Sequence, residues 1–91
     1  MRTQYQYIHF VKVAEKASVV RKTSEWSCRS NRNGAELGTV QWYAPWRQYC
    51  YEPTAQAVYS DSCLIGIAAF LGGLNDERKS SLVMDRLAEE R

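Results

Sequence analysis

The sequence predicts an α+β fold: an antiparallel sheet of about four strands joined as a meander, one main C-terminal helix packed on a face, and a short second helix. Three observations predict it. Short alternating segments rich in aromatic and β-branched residues fill the first two thirds of the chain. Turn residues punctuate those segments. From Ser60 onward the apolar residues recur at helical spacing instead.

The first strand is expected over Tyr5 to Ala14, with Tyr5, Tyr7, His9, Val11 and Val13 on one face and Ile8 and Phe10 on the other. Both faces are partly apolar, so a second layer or a second subunit is expected to cover the strand. Glu15 to Lys22 reads as a polar connector. Glu25 to Ser30 alternates as a second strand, with Trp26 and Cys28 on one side. Asn31-Arg32-Asn33-Gly34 is the strongest turn signal, because Asn-Gly accepts positive φ and closes a hairpin. Leu37 to Tyr43 returns as a third strand. Ala44-Pro45 interrupts it, since proline cannot donate to a ladder. Trp46 to Glu52 is expected as the fourth strand, ended by Pro53, and Val58-Tyr59 as a short extended piece.

Ser60 is a candidate N-cap, and Asp61 suits the positive end of the helix dipole. Leu64, Ile67, Ala68, Leu71 and Leu74 form the expected apolar stripe. Gly72-Gly73 weakens the helix by roughly 1 kcal/mol per glycine, and Asn75 is the expected stop. Ser80-Ser81 would cap the second helix, Leu82 to Glu90, with Val83, Met84 and Leu87 inward. The whole, 1–91, reads as a single domain with its core at about 5–75 and a charged helical tail at 76–91.

Composition excludes several functions. A chain of 91 residues buries only roughly 60–65% of its unfolded surface, so oligomerisation would help its stability. A formal charge of +2 is too weak to argue for nucleic-acid binding by bulk electrostatics. The opening residues lack the basic and apolar pattern of a signal peptide, and no apolar run reaches the roughly 20 residues of a membrane span. Cys28, Cys50 and Cys63 are widely spaced and His9 is the only histidine, so a zinc site is not expected. The cysteines read as buried reduced thiols of a cytoplasmic protein. His9 reads as a packed or interface residue, and the charged tail as a solvated helix face. No cofactor is indicated.

Gln41 to Tyr51 is the most informative stretch, with five aromatic rings, one arginine and two glutamines in eleven residues. Trp42, Tyr49 and Tyr51 would face the core. Gln41, Tyr43, Trp46, Gln48 and Cys50 would face outward, a surface too aromatic to be plain solvent face. Trp46, Tyr43 and Trp26 can stack on a base. Arg47, Arg29 or Arg32 can hold phosphate through forked hydrogen bonds. Gln41 and Gln48 can read a base edge. The plainer reading makes Trp46 an edge-packing residue and Arg47 half of a surface ion pair. Catalysis has weaker support. One histidine and scattered serines give no triad, Glu52 and Asp61 are an unspecific carboxylate pair, and there is no phosphate-binding glycine loop. The expectation is therefore a binding protein and not an enzyme.

The pattern Trp26-x-Cys28-x-x-Asn31-x-x-Gly34-x-x-Leu37-Gly38-x-Val40-x-Trp42-Tyr43-x-x-Trp46-Arg47-Gln48-Tyr49, with Tyr51, Pro53 and the Cys63-Leu64…Ile67-Ala68-x-Phe70 helix, resembles a group of small phage and prophage proteins. It covers roughly Glu25 to Asn75, and Trp42 to Tyr49 is its most specific part. The resemblance brings no assigned catalytic or binding positions. It implies a phage-encoded, counter-defence role in the host cytosol. One such class consists of homo-oligomeric sponges that sequester nucleotide immune signals, cyclic ADP-ribose-type molecules or cyclic oligonucleotides, without cleaving them. A second class, anti-CRISPR proteins, inhibits host defence proteins directly. Many of those mimic DNA with acidic surfaces, which this chain lacks. On the sponge reading the ligand-binding residues are Trp26, Arg29, Tyr43, Trp46, Arg47 and Gln48, with no metal, no membrane and no direct DNA partner. The alternative is a protein–protein inhibitor using the same aromatic face, and a third possibility is a face that only closes a homodimer.

Overall fold

A computed structural model describes residues 1–14 and 23–89, with side chains up to residue 80. The expected connector Glu15 to Lys22 lies outside the described residues. Four strands form one antiparallel sheet in the order of the chain: β1 (Ile8–Lys12), β2 (Trp26–Ser30), β3 (Glu36–Tyr43) and β4 (Gln48–Pro53). One helix, α1 (Asp61–Glu89), follows. The α+β meander is therefore as the sequence predicts.

The pairing register explains the faces. Phe10 opposes Cys28, Trp26 opposes Val40, and Val40 opposes Tyr51, so the large residues of each strand share the face that receives the helix. The β2–β3 turn has Gly34 at φ +73, the left-handed conformation that glycine adopts without a Cβ clash. Its N–H donates to the Ser30 carbonyl at 2.8 Å, and the Asn33 side chain accepts from the Ala35 N–H at 3.0 Å. A bulge then shifts the register between Cys28 and Arg29 and leaves Leu37 unpaired with β2. The Leu37 carbonyl accepts instead from the Thr54 N–H at 3.0 Å and from the Tyr59 hydroxyl.

The first strand is shorter than expected. The chain turns at Gln6 and Tyr7, and Tyr5 joins the core side, edge-on to Phe10 at 5.9 Å and 86°. Alternation put Tyr5 with His9 because it assumes an unbroken strand. The segment before the turn runs along the free edge of β1: the Phe10 N–H donates to Thr3 and the Tyr5 N–H to Ile8, both at 2.9 Å. This covers one edge of the sheet against pairing with another chain. The other edge is blunted differently. Asn75 of the helix accepts the Tyr49 N–H on Oδ1 at 2.6 Å and returns its amide to the Tyr49 carbonyl at 3.4 Å. Pro53 offers no N–H further along the same edge.

The Ser60 hydroxyl accepts the Cys63 N–H at 3.2 Å and starts the helix as expected. The expected stop at Asn75 and the separate second helix are corrected: α1 runs unbroken through Gly72, Gly73, Asn75 and Ser80. Asn75 bonds the sheet, not its own backbone, so it does not end the helix. The side chains of Val83, Met84 and Leu87 lie outside the described residues. The stripe is also rotated from expectation. Ile67, Phe70 and Leu74 are buried, with Cys63 and Leu71 beside them, whereas Leu64 is 53% exposed. Phe70 stacks on Phe10 at 3.9 Å and 5°, and meets Trp26 edge-on at 5.2 Å. Burial of one such ring stabilises by roughly 1.5–3 kcal/mol. No extended pairing forms at Val58-Tyr59; Tyr59 instead packs edge-on to Tyr51 at 5.8 Å.

A polar network lies within this core. The Tyr59 proton goes to the Leu37 carbonyl, so the Tyr51 hydroxyl donates to Tyr59 Oη at 2.9 Å. Burial first, and then that donated bond, push the Tyr51 phenol well above its ordinary 10.0. Burial likewise raises the Cys28 thiol above its ordinary 9.0.

Two outcomes test this account. A Cβ at Gly38 would stand 2.3 Å from the Tyr51 hydroxyl and 2.6 Å from the Glu52 carbonyl, whereas one at Gly72 meets nothing within 4 Å. Gly38→Ala should lower unfolding stability in urea by about 1–3 kcal/mol through overpacking, and Gly72→Ala should raise it by about 1 kcal/mol through helix propensity. The second outcome concerns pH. Folded Cys28 and Tyr51 keep their protons where the unfolded chain loses them, so their linked stability is complete below pH 9.0. It declines as pH rises past 9.0 and 10.0 toward the raised folded values. The urea midpoint should fall over that range, and less steeply in Tyr51→Phe; equal slopes would remove Tyr51 from the explanation.

Candidate functional site

The best-formed basic site lies where the β3–β4 turn meets the middle of α1. Pro45 ends the ladder, and Ala44–Trp46 makes a single 3₁₀ turn. Arg47 follows in the left-handed conformation, φ 50 and ψ 48, and its N–H closes on the Ala44 carbonyl at 3.2 Å. That reversal starts β4 at Gln48, opposite Tyr43. The expected fourth strand began at Trp46; the structure instead puts Trp46 in the turn, 67% exposed, because the proline sets a helical turn rather than an extended one. Tyr43 supports Trp46 edge-on, with ring centroids 5.1 Å apart at 83°.

The helix supplies the other wall. Asn75 is pinned to Tyr49, and Arg78 follows three residues later on the same helix face. The Arg78 guanidinium lies 5.7 Å from the centroid of the Trp42 ring, within cation–π range. Tyr49 meets the same ring edge-on at 5.5 Å. The resulting cleft encloses about 220 Å³ and is lined by Trp42, Trp46, Arg47, Gln48, Asn75, Arg78 and Lys79. Three of these are cations, and none is a carboxylate, imidazole or thiol. Arg78 Nε is buried and has no hydrogen-bond partner among the described residues. A buried donor left unpaired costs about 1–3 kcal/mol.

The structure thus brings Trp46, Arg47 and Gln48 into one cleft, with Tyr43 behind Trp46. It does not bring Trp26 or Arg29 there. Trp26 packs on Phe70, and its Nε1 donates to Ser24 Oγ at 2.8 Å. Arg29 lies on the outer sheet face, where its Nε donates to Ser27 Oγ at 3.2 Å; Ser27 in turn donates to Glu36 Oε2 at 2.6 Å. Alternation along single strands could not show that Trp26 would be engaged by Phe70 and Arg29 by Ser27. Sequence reasoning missed Trp42, Asn75, Arg78 and Lys79 at this site. A signal was present: Leu71, Leu74, Asn75 and Arg78 continue one helix face at spacings of three and four.

His9 has a structural role. Asn31 donates its amide to the carbonyls of Tyr5 at 2.8 Å and Gln6 at 3.2 Å, so its Oδ1 is left to accept from His9 Nδ1 at 2.6 Å. Asp61 accepts the Ser62 N–H locally at 2.9 Å, and Glu52 is exposed on β4. A larger hollow of about 300 Å³ lies between the N-terminal segment and the start of α1. Its one cation, Arg2, is already engaged: it lies 4.4 Å from the Tyr5 ring centroid and donates to the Gln4 carbonyl at 2.9 Å. The smaller cleft is therefore the stronger anion site.

Among the described residues, no group of three His, Cys, Asp or Glu side chains is placed to hold a metal ion. No described helix is long and apolar enough to cross a membrane. No family model matches the chain, no curated protein matches it, and no solved structure matches it.

Arg47 should trade stability for its position in the cleft. A non-glycine residue in the left-handed region costs about 1–2 kcal/mol, and glycine gives back about 0.5–1 kcal/mol of that gain through backbone entropy. Arg47→Gly should therefore raise unfolding stability by about 0.5–1 kcal/mol while removing one cation from the cleft. A lower urea midpoint would mean that the Arg47 side chain holds the turn together.

Proposed function

We propose that the chain binds a nucleotide-derived signal in this cleft and sequesters it without cleaving it. The observation that carries the reading is Arg78: a buried guanidinium nitrogen with no hydrogen-bond partner among the described residues, beside Arg47 and Lys79 in a cleft whose described lining holds no acid. A phosphate would be held by these three cations together, and a bidentate contact to arginine is the strong form of such a bond. Trp46, 67% exposed, offers an aromatic ring for a base to stack on. A cleft wall with no carboxylate, imidazole or thiol among its described residues lacks the commonest nucleophiles and general bases, which favours holding over hydrolysis.

The volume bears on how the ligand sits. Sites that enclose a drug-sized ligand usually span about 300–1,000 Å³. At about 220 Å³ this cleft grips one end of such a ligand and leaves the rest over Trp46 or against a second copy of the chain. Homo-oligomerisation is part of the proposal. Both sheet edges are blunted, and the outer face carries Val11 and Tyr43, each more than 40% exposed. Taken with the resemblance to phage proteins, the reading is counter-defence in the host cytosol. A second reading, inhibition of a host protein, draws on the exposed Trp46, Tyr43 and Val58, which suit a protein interface.

The test is native mass spectrometry after exposure to an extract of infected, defence-active cells. The expected result is a discrete small-molecule mass, released intact on denaturation and lost in Arg47→Ala. Where the purified ligand is titrated, Arg47→Ala should weaken binding by about 1.5–3 kcal/mol. A host polypeptide in place of a small molecule would overturn the sponge in favour of the inhibitor.

A further inference from the structure

The cations of the cleft outnumber what an internal phosphate can use. Arg47 comes from the β3–β4 turn, and Arg78 and Lys79 from adjacent positions on α1. A phosphodiester, cyclic or linear, presents two free oxygens and one negative charge. A terminal phosphomonoester presents three free oxygens and about 1.5 to 2 negative charges at neutral pH. Asn75 does not change this count, because its amide is engaged with the Tyr49 backbone. Gln48 is neutral and exposed at the mouth. With no carboxylate among the described lining residues, the three cations repel one another until an anion enters.

Size points the same way. A cleft of about 220 Å³ holds one end of a nucleotide, the phosphate with part of what adjoins it, and Trp46, which lines it, is 67% exposed. A ligand whose phosphate is buried and whose base lies outside must present that phosphate at an end. In a cyclic dinucleotide each phosphate is flanked by two sugars, so more of the molecule has to accompany the phosphate into the cleft.

We infer that the cleft selects the terminal phosphomonoester of a linear nucleotide over cyclic or bridging phosphates, with Arg47, Arg78 and Lys79 each facing one terminal oxygen and Trp46 stacking on the base. The inference rests on the proposed nucleotide reading and narrows it, because cyclic signals are then the weaker ligands. The neighbouring acids Asp76 and Glu77 are exposed on α1 and lie outside the lining. A pH dependence of the preference is expected from the ligand itself, whose second proton binds near pH 6.

The experiment is calorimetric titration of the full chain with three probes: adenosine 5′-monophosphate, 3′,5′-cyclic adenosine monophosphate and inorganic phosphate. The monophosphate should bind at least about ten-fold tighter than the cyclic diester near pH 7.5, and the difference should shrink below about three-fold near pH 5 as the second charge is lost. Inorganic phosphate should compete with the monophosphate. Arg78→Gln should abolish the preference. Arg47→Gln, on the exposed turn and away from the core, should reduce it if the fold is unchanged by circular dichroism. Equal affinity for monoester and diester, both lost in Arg78→Gln, would overturn the inference and leave the nucleotide cleft standing. Absence of binding by all three probes would overturn both.

Discussion

The Asn75 amide accepts the Tyr49 N–H at 2.6 Å and faces the Tyr49 carbonyl with its own NH₂ group. Much of the molecule depends on this exchange. It treats a helix side chain as if it were a fifth strand and satisfies both backbone groups at the exposed edge of β4. A buried backbone group without a partner costs about as much as a lost hydrogen bond, so the helix position along the strand is fixed at one residue. Everything one turn further along α1 is placed by it. Arg78 comes over Trp42, and the basic side of the helix closes the cleft left by the β3–β4 turn.

Upstream of that clamp the helix is held by rings. Phe70 lies parallel to Phe10 and meets Trp26 on edge, so one side chain of α1 touches both β1 and β2. Gly38 lets the Tyr51 ring approach the backbone of β3, and the bulge at Leu37 turns its carbonyl toward Tyr59. These features form a continuous path from the sheet centre to the segment before α1. Core packing and polar satisfaction therefore agree, a sign of a sequence that specifies one arrangement. The local rule is broken at two non-glycine residues, Gln56 with φ 68 in the segment before α1 and Arg47 with φ 50, and the second lies at the cleft.

The cleft joins residues of two kinds. Trp46, Arg47 and Gln48 come from a turn whose shape is local, set by Pro45 and the reversal at Arg47. Trp42 lies 36 and 37 residues before Arg78 and Lys79, and only packing joins them. The turn residues were legible because aromatic and basic side chains crowd into a short stretch. Arg78 and Lys79 were not, because a charged run after two glycines looks like a solvated tail. Trp26 and Arg29 illustrate the opposite error. Their side-chain chemistry suits a nucleotide, yet one is spent on Phe70 and the other on Ser27.

Local chemistry by itself determined the meander, the Asn-Gly hairpin, the interruption at Pro45 and the cap at Ser60. Each depends on neighbours close in sequence: alternation, a left-handed glycine, a missing N–H, a serine ahead of an apolar run. Tertiary structure decided what depends on distant partners. It rotated the helix stripe away from Leu64 toward Phe70, since Phe10 and Trp26 select the ring that meets them. It carried the helix past Asn75, since the β4 edge offered that amide a better partner than its own helix end. It also placed a guanidinium against Trp42, through one side chain pinned to one strand, which no spacing rule along a single segment encodes.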